Sequence, residues 1–289
     1  MNNILFPKKL NFICILLINK IFRKIDPFFS PFFSVSIKNF FYFFFLPKVK
    51  FNFEKKLSLY SVIENRRSHF FANRQRGYNL YRFGLIERGR FLYNSYCLHK
   101  IKFYKNDIVI DCGSNYGDLF IEISKYIKEK NFIAFEPSIK EYNCVKNNIK
   151  NGQVFNLALS NTNQTRVFYV SSRLADSSFI RPAKFDKKIR IKGIKLDNFI
   201  KNSKLKNIKL LKLEAEGFEP EILNGAKSAL KFIKYIAVDG SRERGIKENE
   251  TFSLVTNFLL KKNFKLIHFN GEAYRGLFLN KNFKFSLNK

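Results

Sequence analysis

The segment IVIDCGSNYGDLF at residues 108–120 constrains the fold of this chain more than any other feature. It begins with a short run of apolar, β-branched residues, which predicts a buried strand, and residues 117–128 predict a helix. Gly113 and Gly117 stand between the two, where the missing side chains let a ligand approach the backbone. The segment therefore predicts a strand, a ligand-binding turn and a helix in succession.

An acidic residue, Glu136, follows Asp111 by 25 positions, at the end of the next predicted strand, NFIAFEP. A carboxylate there can accept both hydrogen bonds of a ribose diol. The turn favours S-adenosylmethionine over a dinucleotide, because Asn115 stands in place of the second glycine of turns that bind a pyrophosphate. S-adenosylmethionine has no phosphate for such a turn to bind. The expected cofactor-binding residues are Asp111, Gly113, Asn115, Gly117 and Glu136. The alternative is that they are ordinary turn and helix-capping residues.

From about residue 107 onward, short apolar runs alternate with amphipathic segments. This alternation is typical of an α/β doubly wound, mostly parallel sheet. Residues 161–195 predict two strands around a polar loop, and FKLIHFN with GLFLNK predicts an antiparallel hairpin at the C-terminal edge. We therefore expect an N-terminal extension at 1–56, a helical lead-in or cap at 57–106, and a catalytic domain at 107–289.

Five motifs of the chain resemble the FkbM-type methyltransferase family in order and spacing. They are DCGSNYG (111–117), FEP (135–137), NLALS (156–160), KLDNFI (195–200) and LKLEAEGFEPEILNGA (211–226). The resemblance covers about residues 76–281. It implies a class I, Rossmann-like methyltransferase fold of about seven strands, S-adenosylmethionine as the cofactor, and O-methylation of a sugar, glycan or related metabolite. It also extends the cofactor site to Asn156 and Ala158.

Methyl transfer to a hydroxyl needs a nucleophile held in line and an acceptor for its proton. Glu214 and Glu216 follow one predicted strand and Asp239 the next, at the carboxyl edge where such sheets bind ligands. We expect the base to be Glu216 or Asp239, with Glu214 the third candidate. Family members usually have Asp-x-Glu-Gly where this chain has Glu214-Ala-Glu-Gly. The alternative is that the acids cap helices or pair with Arg242 and Arg244.

His268 is a further candidate base, because a histidine titrates near neutral pH; the alternative is a structural histidine in a strand. The three histidines and four cysteines are scattered along the chain, so the sequence predicts no metal site and no disulfide framework. Dispersed cysteines are typical of the reducing cytoplasm.

The formal charge of +30 would attract nucleic acid, phosphates or an anionic membrane. The lysines are nevertheless spread along the chain and accompany abundant Asn, Ile and Phe, as expected from an AT-rich coding sequence. The strand-end motifs N-P-P-Y and D-P-P-Y of many base-methylating enzymes are absent. We therefore expect a glycan or small-molecule acceptor rather than nucleic acid, with RNA ribose methylation as the alternative.

The first 51 residues combine the apolar run FICILLI at 12–18, the basic residues Lys20, Arg23 and Lys24, and a Phe-rich stretch. Neither apolar run reaches the roughly 20 residues that a membrane-spanning helix needs. We expect residues 1–51 to contact the inner face of the membrane peripherally. The alternatives are an extension packed on the domain or on a second subunit, and a non-catalytic membrane-associated protein that kept the fold. The oligomeric state is left open.

Overall fold

The computed structural model describes residues 9–171 and 177–284. The chain divides into two compact units, Met1–Gly89 and Arg90–Lys289. Each unit has its own secondary structure and its own packed interior. No helix in the described ranges is long and apolar enough to cross a bilayer.

The N-terminal unit contains helices and one small antiparallel sheet. Its elements are α1 (Lys9–Ile25), α2 (Pro31–Phe45), β1 (Val49–Glu54), β2 (Leu59–Glu64), β3 (Arg67–Phe71), α3 (Arg74–Leu80) and the beginning of α4 (Leu85–Ser95). Ser30 caps α2 by accepting a hydrogen bond from the Phe33 amide, and Pro31 occupies the first turn. Aromatic side chains of α2, β1 and α3 pack together, with Phe51 contacting both Tyr42 and Tyr78 edge to face.

Part of the segment that we expected to be a helical lead-in forms strands β2 and β3. The two strands pair in an antiparallel hairpin closed by Asn65 and Arg66, both with positive φ. Such a two-residue turn matches the twist of the flanking strands, and the strands themselves are rich in β-branched and aromatic residues. Residues 57–71 therefore differ from the expected helix, whereas α3 and α4 are helical.

The second unit is built on a seven-stranded sheet, and helices alternate with strands along the sequence. Its helices after α4 are α5 (Asp118–Ile123), α6 (Ile139–Asn148), α7 (Leu196–Ser203), α8 (Glu219–Asn224) and α9 (Phe252–Lys261). Its strands are β4 (Ile108–Cys112), β5 (Phe132–Phe135), β6 (Gln153–Phe155), β7 (Ala158–Leu159), β8 (Thr165–Val170), β9 (Lys187–Ile194), β10 (Ile208–Leu213), β11 (Ile233–Asp239), β12 (Arg242–Arg244), β13 (Asn249–Glu250), β14 (Phe264–Asn270) and β15 (Arg275–Asn280).

The order of the strands in the main sheet is β14-β15-β11-β10-β4-β5-β6. The strands from β11 to β6 are parallel to one another, and β15 and β14 complete the sheet as an antiparallel hairpin. The predicted doubly wound α/β sheet with an antiparallel C-terminal edge is therefore confirmed. The predicted hairpin within residues 161–195 is also confirmed, because β8 and β9 pair antiparallel.

Alternate residues of the central strands point to opposite faces of the sheet, and each face has its own core. Ile110 and Leu211 belong to one cluster of buried side chains, and Val109 and Leu210 belong to the other. A period of two within fully buried strands produces this division. Both faces are thus covered, and the carboxyl ends of the parallel strands lie along one exposed edge of the sheet.

Helix α8 is shorter than the helix predicted over residues 219–231. It ends at Asn224, and Gly225 follows. A Cβ at Gly225 would lie 2.1 Å from the Ser160 carbonyl oxygen, so the chain passes too close to β7 for any other residue. This close contact explains why glycine occupies the position that follows α8.

Candidate functional site

The glycine turn after β4 is held between the ends of the two neighbouring strands. The amides of Gly113 and Ser114 both donate to the Phe135 carbonyl, at 3.0 and 3.1 Å. Gly113 has a φ of +72°, and a Cβ there would lie 1.9 Å from the Glu214 carbonyl oxygen. Asn115 and Gly117 also have positive φ. Only glycine fits at position 113, so this turn exposes backbone at the carboxyl edge of the sheet.

Glu136 connects this turn to the end of β5. One carboxylate oxygen accepts the Asn115 amide at 2.8 Å, and the other accepts the Ser138 amide at 2.9 Å. Burial raises the pKa of Glu136 to about 8, and the nearby Glu141 charge adds to this shift. The side-chain amide of Asn156 donates to the carbonyl oxygens of Glu136 and Pro137. Asn156 therefore fixes the backbone that carries the Glu136 carboxyl.

Ala158, the other position that the resemblance implies, is buried and begins β7. It pairs with Gly193 in a parallel bridge to β9.

A buried lysine, Lys212, lies beneath the glycine turn and joins β10 to β4. Its ammonium lies 3.1 Å from an Asp111 carboxylate oxygen and 2.8 Å from a Glu214 oxygen, and it donates to the Gly113 carbonyl at 2.8 Å. Lys212 is 2% exposed and Asp111 is 1% exposed. Burial raises the pKa of Asp111, and Lys212 offsets part of that shift. The pair thus supports the turn from within the protein.

Arg275, at the beginning of β15, holds two of the three candidate bases. Its guanidinium lies 2.7 Å from Asp239 and 3.2 Å from Glu214, and 4.2 Å from the ring centroid of Tyr96. The Asp239 carboxylate also accepts the Ser241 hydroxyl at 2.6 Å. Burial alone would raise the pKa of Glu214, but Lys212 and Arg275 outweigh it and lower the pKa well below its usual value. An ionised carboxylate held by cations is a weak proton acceptor.

The third candidate base, Glu216, lies in a tight turn after β10. Glu216 and Gly217 have φ of 52° and 87°. The buried Glu219 carboxylate fixes this turn by accepting the amides of Ala215 and Gly217, at 2.7 and 3.2 Å, and the Thr251 hydroxyl at 3.0 Å. Glu219 is therefore a structural acid, and it orients the backbone of the residue that we expected to be the base.

A second carboxyl group, Glu243, is hydrogen-bonded to Glu216. Burial raises the pKa of Glu243 to about 7, and the charges of Asp239 and Glu214 raise it as well. A carboxyl group such as Glu243, with a pKa near neutral pH and a hydrogen bond to a second carboxyl group, can accept and release a proton. We refer to Glu216 and Glu243 as the carboxyl pair.

The residues at this edge fit S-adenosylmethionine. A turn that tolerates only glycine at position 113 brings bare backbone to the edge, and the Glu136 carboxyl is an acceptor suited to ribose hydroxyls. Lys212, the cation beneath the turn, is occupied by Asp111 and Glu214 rather than offered to a phosphate. The donor and acceptor set therefore suits a nucleoside without a pyrophosphate.

Residues 111–266 match the methyltransferase FkbM domain, which covers more than half of the chain. The chain belongs to the FkbM methyltransferase family. As a member, it is an S-adenosylmethionine-dependent methyltransferase, and the cofactor expected from the glycine turn is confirmed. Comparison with curated protein sequences gave no match.

Among solved structures, the methyltransferase FkbM from Methylobacillus flagellatus KT aligns with a TM-score of 0.40 and 15% identity, over 62% of this chain and 44% of that chain. The chain thus spans less than half of that protein. TrmK from M. capricolum, in complex with S-adenosyl-homocysteine, aligns at 0.38 and 13%, over 68% and 72% of the two chains. Streptococcus pneumoniae Sp1610, a putative tRNA (m1A22) methyltransferase in complex with S-adenosyl-L-methionine, aligns at 0.37 and 12%, over 69% and 75%.

Of the residues in the alternative pairing of the acids with Arg242 and Arg244, the structure gives Arg244 and Asp239 other partners. Arg244 pairs with Glu221 at 2.7 Å, and Asp239 pairs with Arg275. His268 lies within β14, where its backbone is paired with Leu277 of the hairpin.

Sequence reasoning missed four residues that organise this site, namely Tyr96, Lys212, Glu243 and Arg275. Lys212 stands two positions before Glu214 in β10, so the two-residue period of a strand would have placed both on one side. Arg275 is 61 positions from Glu214, and only the register of the hairpin brings them together.

Proposed function

We propose that this FkbM-family methyltransferase transfers a methyl group from S-adenosylmethionine to a hydroxyl of a sugar, a glycan or glycolipid precursor, or a related metabolite. The observation that carries this proposal is the carboxyl pair at the edge of the sheet. A hydroxyl must lose its proton during methylation, and Glu243, with a pKa of about 7, is suited to take part in that transfer.

The carboxyl pair is a better base than the other acids of the site. Glu214 is held by Lys212 and Arg275, and Asp239 is held by Arg275 and Ser241. Removing a proton from the acceptor at either of these carboxylates would cost the energy of its ion pairs. Among our three expected bases, the structure therefore favours Glu216, acting together with Glu243.

The cofactor supplies an electrophilic methyl group on a sulfonium. Glu136 would accept the ribose hydroxyls, Asn115 and the two glycines would line the turn, and Asp111 with Lys212 would keep the turn in place. As the acceptor oxygen would bond to the methyl carbon, the carbon–sulfur bond would break and the cofactor would leave as the neutral thioether S-adenosylhomocysteine, while the hydroxyl proton would pass to a carboxylate oxygen of Glu216 or Glu243. The role of the chain is to orient the hydroxyl and to take this proton.

The test uses the full chain with S-adenosylmethionine carrying a labelled methyl group, incubated separately with glycan, glycolipid and RNA pools from the source cells. Label in a glycan or glycolipid that survives alkali, as expected of a methyl ether on a hydroxyl and not of a methyl ester, supports the proposal. Label in RNA alone would support ribose methylation instead. No transfer to any pool, together with no cofactor binding, would support the non-catalytic alternative.

A matched pair of variants links transfer to the carboxyl pair. Glu216→Gln removes one carboxylate while keeping the side-chain length, and Glu248→Gln makes the same change at an exposed residue nearby in the sequence. The proposal requires loss of methyl transfer in the first variant and wild-type transfer in the second. Equal activity of the two variants would remove Glu216 from the mechanism.

We also propose that the N-terminal unit contacts an anionic membrane surface peripherally, on the cytoplasmic side. Large apolar side chains are exposed along α1, α2 and the short turn between them, including Ile13, Leu17, Ile21, Phe28, Phe32, Phe40, Phe43 and Phe44. Basic residues follow on α1, with Arg23 and Lys24 in its last turn. Exposed apolar side chains flanked by cations are typical of membrane-surface helices.

Co-sedimentation with phospholipid vesicles tests this contact. Replacing Phe40, Phe43 and Phe44 by Ser should release the protein from the vesicles, because each Phe contributes buried apolar area. Ile246→Ser, which changes an exposed apolar residue of the other unit, is the control and should bind like the wild type. Binding that survives the triple Phe substitution would contradict a contact through α2.

A further inference from the structure

The N-terminal unit contains a polar cavity that the methyltransferase reaction does not use. Its volume is about 270 Å³. It is lined by residues of α1, α2, α3 and their flanks: Leu16, Asn19, Lys20, Phe22, Arg23, Asp26, Lys38, Gln75, Tyr78, Asn79 and Arg82. A cavity of this size accommodates a small polar group together with ordered water.

The charges around the cavity are mainly positive. Among the described lining residues, Lys20, Arg23, Lys38 and Arg82 are cationic, and Asp26 is the single acid. The Asp26 carboxylate already lies 2.9 Å from the Arg74 guanidinium and accepts the Ser34 hydroxyl. Asp26 is thus largely neutralised by Arg74, and the cavity keeps an excess of positive charge.

Lys38 is fully buried in the wall of the cavity. Its ammonium donates to the Asn19 side-chain oxygen, the one hydrogen-bond acceptor it has among the described residues. It lies 4.7 Å from the Tyr42 ring centroid and 4.9 Å from that of Tyr78. An ammonium has three donors, so a group with free acceptors would complete its coordination. Burial lowers the pKa of Lys38 to about 7, against the opposing attraction of Asp26.

Arg82 supplies an independent observation on the same cavity. Its Nε is buried and has no hydrogen-bond partner among the residues that the structure describes. One of its terminal nitrogens donates to the Asn79 side chain at 2.7 Å. A buried guanidinium donor without an acceptor is costly, and an oxyanion in the cavity would satisfy it.

We propose that this cavity binds a phosphate group, with Lys38 at its base and Lys20, Arg23 and Arg82 around it. A phosphate offers several acceptor oxygens and a negative charge, which match one buried ammonium and three further cations. The source is either the headgroup of an anionic phospholipid or a free phosphate ester. Leu16 lines the cavity and is also exposed on the surface. It belongs to the same helix as the exposed Ile13 and Leu17.

The inference rests on the proposed membrane contact only if the bound phosphate belongs to a lipid headgroup. Binding of a free phosphate ester requires the cavity and no membrane contact. The two proposals therefore fail separately. Loss of vesicle binding on the triple Phe substitution with intact phosphate binding supports both. Binding of phosphate without any binding to vesicles would overturn the membrane contact and leave the phosphate site.

The experiment titrates the full chain with inorganic phosphate by calorimetry, and separately with phosphatidylcholine vesicles that contain or lack phosphatidylglycerol. Lys38→Met keeps the apolar stem and removes the charge. The control, Lys24→Ala, removes a charge from α1 at an exposed residue that does not line the cavity. We expect Lys38→Met to weaken phosphate binding at least about tenfold, as the loss of a charge-assisted hydrogen bond predicts, and Lys24→Ala to leave it near wild type.

A double variant, Lys20→Ala with Arg23→Ala, keeps the test decisive if Lys38→Met does not fold. Both residues are exposed, so their removal leaves the interior intact. Weaker binding of phosphate in this variant supports the site. Wild-type binding in Lys38→Met or in the double variant, equal weakening by Lys24→Ala, or no binding of phosphate to the wild type would each overturn it.

Discussion

Arg275 and Asp239 lie directly opposite each other on the antiparallel strands β15 and β11, and the guanidinium donates to the carboxylate at 2.7 Å. The pair joins the C-terminal hairpin to the last parallel strand at the edge where the site forms. Because Arg275 also reaches Glu214, one cation balances acids from two strands. The hairpin therefore contributes to the electrostatics of the site as well as to the sheet.

Arg275→Met should lower the free energy of unfolding by about 3 kcal/mol, because it leaves the buried Asp239 carboxylate without its cation and removes one of the two cations paired with Glu214. Urea unfolding followed by circular dichroism measures this. The control is Arg244→Met, whose ion pair with Glu221 is more exposed and should cost about 1 kcal/mol or less. Equal losses in the two variants would show that Arg275 has no special role in the site.

Gly113→Ala should prevent folding of the second unit or lower its stability by about 3 kcal/mol, because the added Cβ would meet the Glu214 carbonyl at 1.9 Å and φ is positive. Thermal unfolding measures the change. Gly271→Ala is the matched control, since a Cβ there would lie 3.5 Å from its nearest neighbour. A Gly113→Ala protein as stable as this control would disprove the close approach of the turn to β10.

Glu136 should make stability depend on pH. Its pKa is raised from 4.5 to about 8 in the folded protein, so between these values the folded state holds a proton that the unfolded state has released. The stabilisation is complete below pH 4.5 and is lost as the pH rises through 8. The free energy of unfolding of wild type relative to Glu136→Gln should therefore fall by roughly 4 to 5 kcal/mol across this interval. A pH-independent difference would mean that Glu136 is ionised throughout.

Glu243→Gln should reduce kcat for methyl transfer about 100-fold, the usual contribution of a general base. Affinity for S-adenosylmethionine should stay unchanged, because the role that we propose for Glu243 is toward the acceptor hydroxyl and not toward the cofactor. In the wild type, the rate should rise as the pH increases through about 7, where the Glu243 carboxyl ionises. A rate profile without this rise, or a variant with wild-type kcat, would exclude the carboxyl pair as the base.

The alternation of buried runs and amphipathic segments predicted the main sheet, because parallel strands covered on both faces have a distinctive apolar composition. The positions of the glycine turn and of Glu136 were also predicted, because each follows a strand that its apolar composition makes recognisable. In contrast, β2 and β3 were missed because their hairpin turn, Asn65-Arg66, contains no glycine. The sequence carried no local signal for Arg275, whose contacts depend on the pairing register of β15 with β11.

The cofactor site at the glycine turn is tested most directly by titrating S-adenosylmethionine into the wild type and Glu136→Ala. Glu129→Ala, which removes an acid from the short turn before β5, is the control. We expect saturable binding by the wild type and the control, and affinity at least about tenfold weaker in Glu136→Ala, because this variant lacks the carboxyl group that we propose accepts the ribose hydroxyls. Wild-type affinity in Glu136→Ala, or no binding by the wild type, would contradict the site described at this edge of the sheet.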